Sequence, residues 1–167
     1  MRASWRLLVA AVALGITLAG CGQSGGGDSA APQPVDLEFS VPTVDGGTFH
    51  GTQLSGQPAV LWFWSPWCVT CLAQAPHVAA AADQFAGRAT VIGVAGLDDS
   101  IEAMQQFVDM AEVGKLTHLA DREGVVWQRF GITSQSSFVV LDADGAVVAS
   151  GHIRSTDLPD HLDQLVG

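Results

Sequence analysis

The chain has 167 residues, of which 48% are apolar, and its 7 basic and 17 acidic residues give a formal net charge of -10. That length suffices for one domain of ordinary size with a continuous core. The acidity argues against nucleic-acid binding and against polybasic attachment to anionic lipid.

Arg2 and Arg6 precede an apolar run over residues 7–18 that closes on Leu18-Ala19-Gly20-Cys21. The run is short of the about 20 residues a spanning helix needs, and its charged flank and small-residue ending are those of a signal peptide over residues 1–20. The four-residue ending resembles the bacterial lipobox, in which the signal is cut before a lipid-modified cysteine. It implies that Cys21 carries an anchor to the extracytoplasmic face of the cell membrane. Loss of the leader would leave 5 basic against 17 acidic residues, a net of -12. Residues 21–34 hold Gly25-Gly26-Gly27 and two prolines. Such a stretch is expected to act as a flexible tether, with a reach on the order of 20 Å for roughly 13 residues. The domain proper is expected over residues 35–167.

Asp45-Gly46, between residues 37–44 and 48–50, signals an N-terminal hairpin. The unbroken apolar run over residues 59–64 suits a central strand covered on both faces. Residues 72–85 read as a helix that Pro76 should kink just after its first turn, and residues 90–95 as a second buried strand. Ser100 can cap a helix over about 101–113 that turns Ile101, Met104, Phe107 and Val108 to one side. A strand at 116–120 and a helix at 124–130 form a further step. Strands at 138–141 and 146–150 flank a second turn, Asp142-Ala143-Asp144-Gly145, and a helix over about 157–166 closes the chain. This order predicts an α/β sandwich with a mixed sheet, in which Trp62, Trp64 and Trp127 are packing residues.

Three cysteines are present, Cys21, Cys68 and Cys71. With Cys21 lipidated, the other two are free for chemistry and no structural disulfide is left over. Trp67-Cys68-Val69-Thr70-Cys71 falls at the junction between the 59–64 strand and the following helix, the end of an open α/β sheet where ligands are usually met. A helix N-terminus has unpaired N–H groups and partial positive charge that stabilise a thiolate. Cys68 is therefore expected to be the nucleophile, with Cys71 one turn on, placed to resolve a mixed disulfide. Val69 and Thr70 bring no charge between the thiols, so Cys68 should be only moderately acidic.

The Trp-Cys-x-x-Cys motif, the downstream Pro76 and the element order together resemble the thioredoxin superfamily over nearly the whole domain. The N-terminal hairpin, the inserted helix and the Leu119-Ala120-Asp121-Arg122-Glu123-Gly124 segment are similar to the TlpA and DsbE-type secreted branch. Residues 59–68 and 91–98 look especially like mycobacterial DsbE/DsbF-type lipoproteins. The resemblance implies a thioredoxin-like sandwich: a central mixed sheet flanked by helices, with a hairpin before it and a helix inserted. It also implies an attacking Cys68, a resolving Cys71 and an active-site flank made of Pro66, Trp67, Val69 and Thr70.

Three positions depart from the pattern of that family. Trp62 stands where thioredoxins have a buried Asp. Gln74 stands where the TlpA-like branch usually has Glu, and an amide cannot accept the proton. Ser136, in the segment Gln135-Ser136 that corresponds to the substrate loop, stands where a cis-proline is expected. A cis bond before a non-proline residue costs about 2.5–4 kcal/mol, so the Gln135–Ser136 bond should be trans. A peroxiredoxin reading is weak, because Trp62 also occupies the proline position of that family's motif although Ser65 fits.

The expectation is a membrane-tethered thiol-disulfide oxidoreductase acting on exported cysteine-containing proteins, with a membrane redox partner, as a monomer, and with no cofactor beyond its own Cys68–Cys71 pair. Alternatives are a dithiol reductant for cytochrome c maturation and a copper-binding protein using the two thiols. His77 is the histidine nearest in sequence to the pair, but Cys-x-x-Cys with one histidine is a weak metal signature, and no metal ligand set is expected.

Overall fold

The computed structural model describes residues 34–167. The signal peptide, Cys21 and nearly all of the expected tether lie outside the described residues. Pro34, placed by the sequence at the end of the tether, already pairs with Ala146.

Among the described residues seven strands and four α-helices follow in the order β1 (Ser40–Pro42), β2 (Thr48–His50), β3 (Ala59–Trp64), α1 (Val69–Gln84), β4 (Thr90–Ala95), α2 (Ile101–Met110), β5 (Thr117–Ala120), α3 (Val125–Arg129), β6 (Ser137–Leu141), β7 (Val147–Gly151) and α4 (Leu158–Val166). β1 and β2 form the expected antiparallel hairpin, turned at Gly46 with φ +92°. The other five strands make one mixed sheet in the order β5-β4-β3-β6-β7. β3, β4 and β5 run parallel, and β6 and β7 are antiparallel additions on the other side of β3.

β3 sits at the centre because it can be buried on both faces, and all six of its residues are. Successive side chains alternate across the sheet. Val60, Trp62 and Trp64 join the core beneath α1, α2 and α4, with Phe107, Phe138, Leu158 and Leu162. Leu61 and Phe63 join the opposite core with Val94, Leu119, Trp127 and Val139. The three tryptophans are packing residues, as expected. Trp64 stacks on Phe107 at 4.3 Å between ring centroids, and Trp127 meets Phe63 edge-on at 5.4 Å.

Two helix ends differ from the sequence reading. α1 begins at Val69 rather than at residue 72, since a cysteine sulfur supplies the cap. Its buried residues Cys71, Ala75, Val78 and Ala81 follow the helical repeat. Pro76 lies within it, leaving the Leu72 carbonyl without its helical donor, and the helix nonetheless runs on to Gln84. α2 is capped by Ser100, whose Oγ accepts the Ala103 N–H at 3.1 Å, as expected. It stops at Met110 rather than at 113, because Glu112 adopts a left-handed backbone with φ +56°. Among the described residues no helix is long and apolar enough to cross a membrane.

Candidate active site

The chain leaves the C-terminal end of β3 at Trp64 and enters α1 within five residues. Cys68 N–H bonds back to the Ser65 carbonyl at 3.1 Å, and Leu72 N–H bonds to the Cys68 carbonyl at 3.1 Å, which closes the first helical turn. Cys68 is the N-cap. Its Sγ accepts the Cys71 N–H at 3.0 Å, where a serine or aspartate oxygen would ordinarily sit. The two sulfurs are joined in a disulfide with an S–S distance of 2.05 Å.

The pair is unequal in access. Cys68 is 5% exposed and Cys71 is fully buried. Of the two sulfurs, only that of Cys68 is on the side open to an incoming thiolate. The N–H that caps its sulfur, together with the helix terminus, favours negative charge there once the S–S bond opens.

Trp67 and Val69 flank the disulfide in the open, at 55% and 81% exposure, with Pro66 half-buried and Thr70 exposed beside them. A small apolar groove of about 150 Å³ touches Cys68 and runs between Trp67, Val69 and Leu72 on one side and Phe107 and Met110 of α2 on the other. Phe107 and Met110 were absent from the sequence-based site. Phe107 falls on the side of α2 that the sequence turns inward with Ile101, Met104 and Val108, whereas Met110 carries no assignment there. Larger hollows exist, among them one of about 350 Å³ bordered by Val44, Gln105 and His118. They contain no cysteine, and the chemistry belongs to the small groove.

The loop before β6 reaches the same end of the sheet. Antiparallel pairing sets Ser137 opposite Phe63, one residue from the C-terminus of β3. No cis peptide occurs among the described residues, so the Gln135–Ser136 bond is trans, and Ser136 has a left-handed backbone with φ +60°. Gln135 and Ser136 are half-buried. Gln74, on α1, donates from Nε2 to the Ser136 carbonyl at 3.3 Å and accepts at Oε1 from the Trp62 indole N–H at 3.0 Å.

Two buried titratable groups serve structure. Asp121 Oδ2 accepts the Val126 and Trp127 N–H groups at 2.8 Å each and so anchors α3, while burial pushes its carboxyl above the ordinary range. His118 packs edge-on against Trp64 at 5.5 Å, its Nε2 3.0 Å from the Val113 carbonyl. Burial holds its imidazole below the usual pKa. His77 is exposed, and among the described residues no three His, Cys, Asp or Glu side chains are grouped to hold a metal ion.

A strand-to-helix dithiol on a β5-β4-β3-β6-β7 sheet defines a thioredoxin-like redox protein, and the comparisons place it further. Residues 31–150 match the AhpC/TSA family, and the chain belongs to that family. It is 42% identical over 111 residues to the soluble secreted antigen MPT53 of Mycobacterium tuberculosis, covering 65% of this chain and 61% of that protein. The chain thus spans about 61% of the length of that curated relative. Among solved structures it is similar to MTB DsbF, with 44% identity, a TM-score of 0.72 and coverage of 77% of this chain and 96% of that one. It is also similar to a secreted Mycobacterium tuberculosis disulfide oxidoreductase homologous to E. coli DsbE, with 34% identity, a TM-score of 0.68 and coverage of 77% and 97%. These likenesses match the expected resemblance and the expected fold.

Proposed function

We propose that the protein is an extracytoplasmic thiol-disulfide oxidoreductase that donates its Cys68–Cys71 disulfide to exported cysteine-containing proteins. The observation that carries this reading is the disulfide itself, capping α1 with its accessible sulfur and lying against an apolar groove. Similarity to proteins named as secreted, one of them a disulfide oxidoreductase, supports the compartment and the chemistry. The Leu18-Ala19-Gly20-Cys21 ending supports attachment to the membrane through a lipid on Cys21.

In the donating direction a substrate thiolate attacks Cys68 Sγ. The S–S bond breaks, and Cys71 leaves as a thiolate that takes up a proton. The substrate's second thiolate then attacks its own sulfur in the mixed disulfide and expels Cys68, whose thiolate the Cys71 N–H and the helix terminus receive. Two electrons pass from substrate to protein, and a membrane redox partner must remove them to restore the disulfide. A reductant, as in cytochrome c maturation, would run the same steps backwards from the dithiol, and the DsbE-type likeness keeps that direction in view.

Equilibration of residues 35–167 with glutathione, followed by Trp fluorescence, decides the direction. A reduction potential near -120 mV would match a strong exported oxidant, whereas one near or below about -270 mV would assign the protein to reduction. Absence of any reversible transition would overturn both directions.

A further inference from the structure

Trp62 on β3, Gln74 on α1 and Ser136 before β6 are distant in sequence, yet two hydrogen bonds join them in one line. The Trp62 indole N–H donates to Gln74 Oε1, and Gln74 Nε2 donates to the Ser136 carbonyl. We propose that Gln74 is a positioning residue for disulfide exchange, a neutral latch that fixes the Ser136 loop against the helix carrying the dithiol. This role rests on the exchange reaction proposed above.

Four observations support it. Gln74 stands one turn after Cys71 on α1, a spacing that makes the two side chains neighbours on the helix surface. The register of β6 on β3 brings the Ser136 segment to the end of the sheet where α1 begins. Ser136 holds a left-handed backbone without being glycine, a conformation that persists only where the surroundings enforce it. The contact from Gln74 to its carbonyl is such an enforcement, and Ser137 Oγ adds a second by bonding the Ser134 carbonyl at 2.9 Å. Finally, among the described residues the buried indole N–H groups of Trp64 and Trp127 have no acceptor, while that of Trp62 has one, and Gln74 supplies it.

The latch requires a side chain that accepts and donates at once. A carboxamide does both, whereas an ionised carboxylate accepts only and would face the Ser136 carbonyl with like polarity. A protonated carboxyl again does both. Gln74→Glu should therefore break the Ser136 link at neutral pH and re-form it in acid, while Gln74→Ala removes it at every pH.

The test follows oxidation of reduced ribonuclease A from pH 4.5 to 8, together with amide hydrogen exchange. At pH 8 both variants should react about three- to tenfold more slowly than wild type, the range that loss of the Ser136 hydrogen bond, which both lack at that pH, gives. For Gln74→Glu the ratio to wild type should climb toward unity as the pH falls through the carboxyl titration, and for Gln74→Ala it should stay flat. Amides of residues 135–137 should exchange about three- to tenfold faster at pH 8 in both variants, with β4 amides unchanged as the control for an intact fold. A flat ratio in Gln74→Glu, or unchanged loop exchange in Gln74→Ala, would overturn the latch. A wild-type protein inert toward reduced ribonuclease A would instead overturn the exchange reaction, and the loop amides would still decide whether the latch exists.

Discussion

Cys68 is a helix cap as well as a redox centre, its sulfur accepting the Cys71 N–H while it is bonded to Cys71. Substituting it removes the chemistry and keeps a cap: Cys68→Ser should abolish ribonuclease oxidation while leaving the melting temperature close to that of the reduced wild type, because serine is itself a good N-cap. Cys71→Ser should accumulate mixed disulfides on Cys68, visible as bands lost on reduction in membrane extracts. Recovery of none would count against the two-step exchange. Since neither Val69 nor Thr70 adds charge, iodoacetamide should lose its reaction with reduced Cys68 as the pH drops toward 5; full reactivity well below pH 5 would refute a moderately acidic thiol. His118 gives a second titration. Burial lowers its folded pKa, so the unfolded chain binds the proton more readily, and stability present above about pH 6.5 is lost as the pH falls through that value. The melting-temperature advantage of wild type over His118→Gln should accordingly shrink between pH 7.5 and 5.

Among the elements, β4 depends on an absent side chain. A Cβ at Gly93 would stand 2.1 Å from His118 Nδ1 and 2.6 Å from Trp64 Nε1. Gly93→Ala should thus cost about 1–3 kcal/mol through overpacking, measured by urea unfolding, and an unchanged midpoint would mean the two rings can retreat. Loss of the α2 cap in Ser100→Ala should cost about 0.5–2 kcal/mol without altering the reduction potential. The strands β3 and β4 were legible to the residue in the sequence, since continuous apolar runs bounded by polar or turn residues leave little choice of register. Helix ends were less so. The start of α1 depends on a sulfur acting as cap, and the end of α2 on a left-handed Glu112, neither of which apolar periodicity records. The dithiol and its flank could be read directly because they are contiguous. The line from Trp62 through Gln74 to Ser136 could not, since it spans separations of 12 and 62 residues that only the sheet order brings together.

At the scale of the whole molecule, charge and apolar surface are distributed differently. Acidic residues are spread along the chain, whereas Trp67, Val69 and Met110 gather exposed apolar surface around one sulfur. On the proposed reading, substrate capture should respond weakly to salt, because an apolar groove rather than ion pairing supplies the contact. A steep fall in the ribonuclease oxidation rate between 0.05 and 0.5 M salt would contradict that. The proposed membrane attachment is separable from all of this: Cys21→Ala should move the protein from the detergent fraction to the aqueous one with its oxidation rate intact, and unchanged partitioning would remove the lipid anchor from the account.

If exported proteins are its clients, as proposed, the small groove beside Cys68 would also impose a schedule on them. The groove is small, about 150 Å³, and lined mostly by apolar residues, and an apolar residue next to a cysteine is what a finished protein hides in its own interior. The groove and a client's nascent core would therefore compete for the same residue. Once the client has closed, neither its cysteine nor its apolar neighbour can reach the sulfur. On the proposed reading, a disulfide donor built this way would act early, on chains just emerging from export, and fall silent toward each of them as it matures.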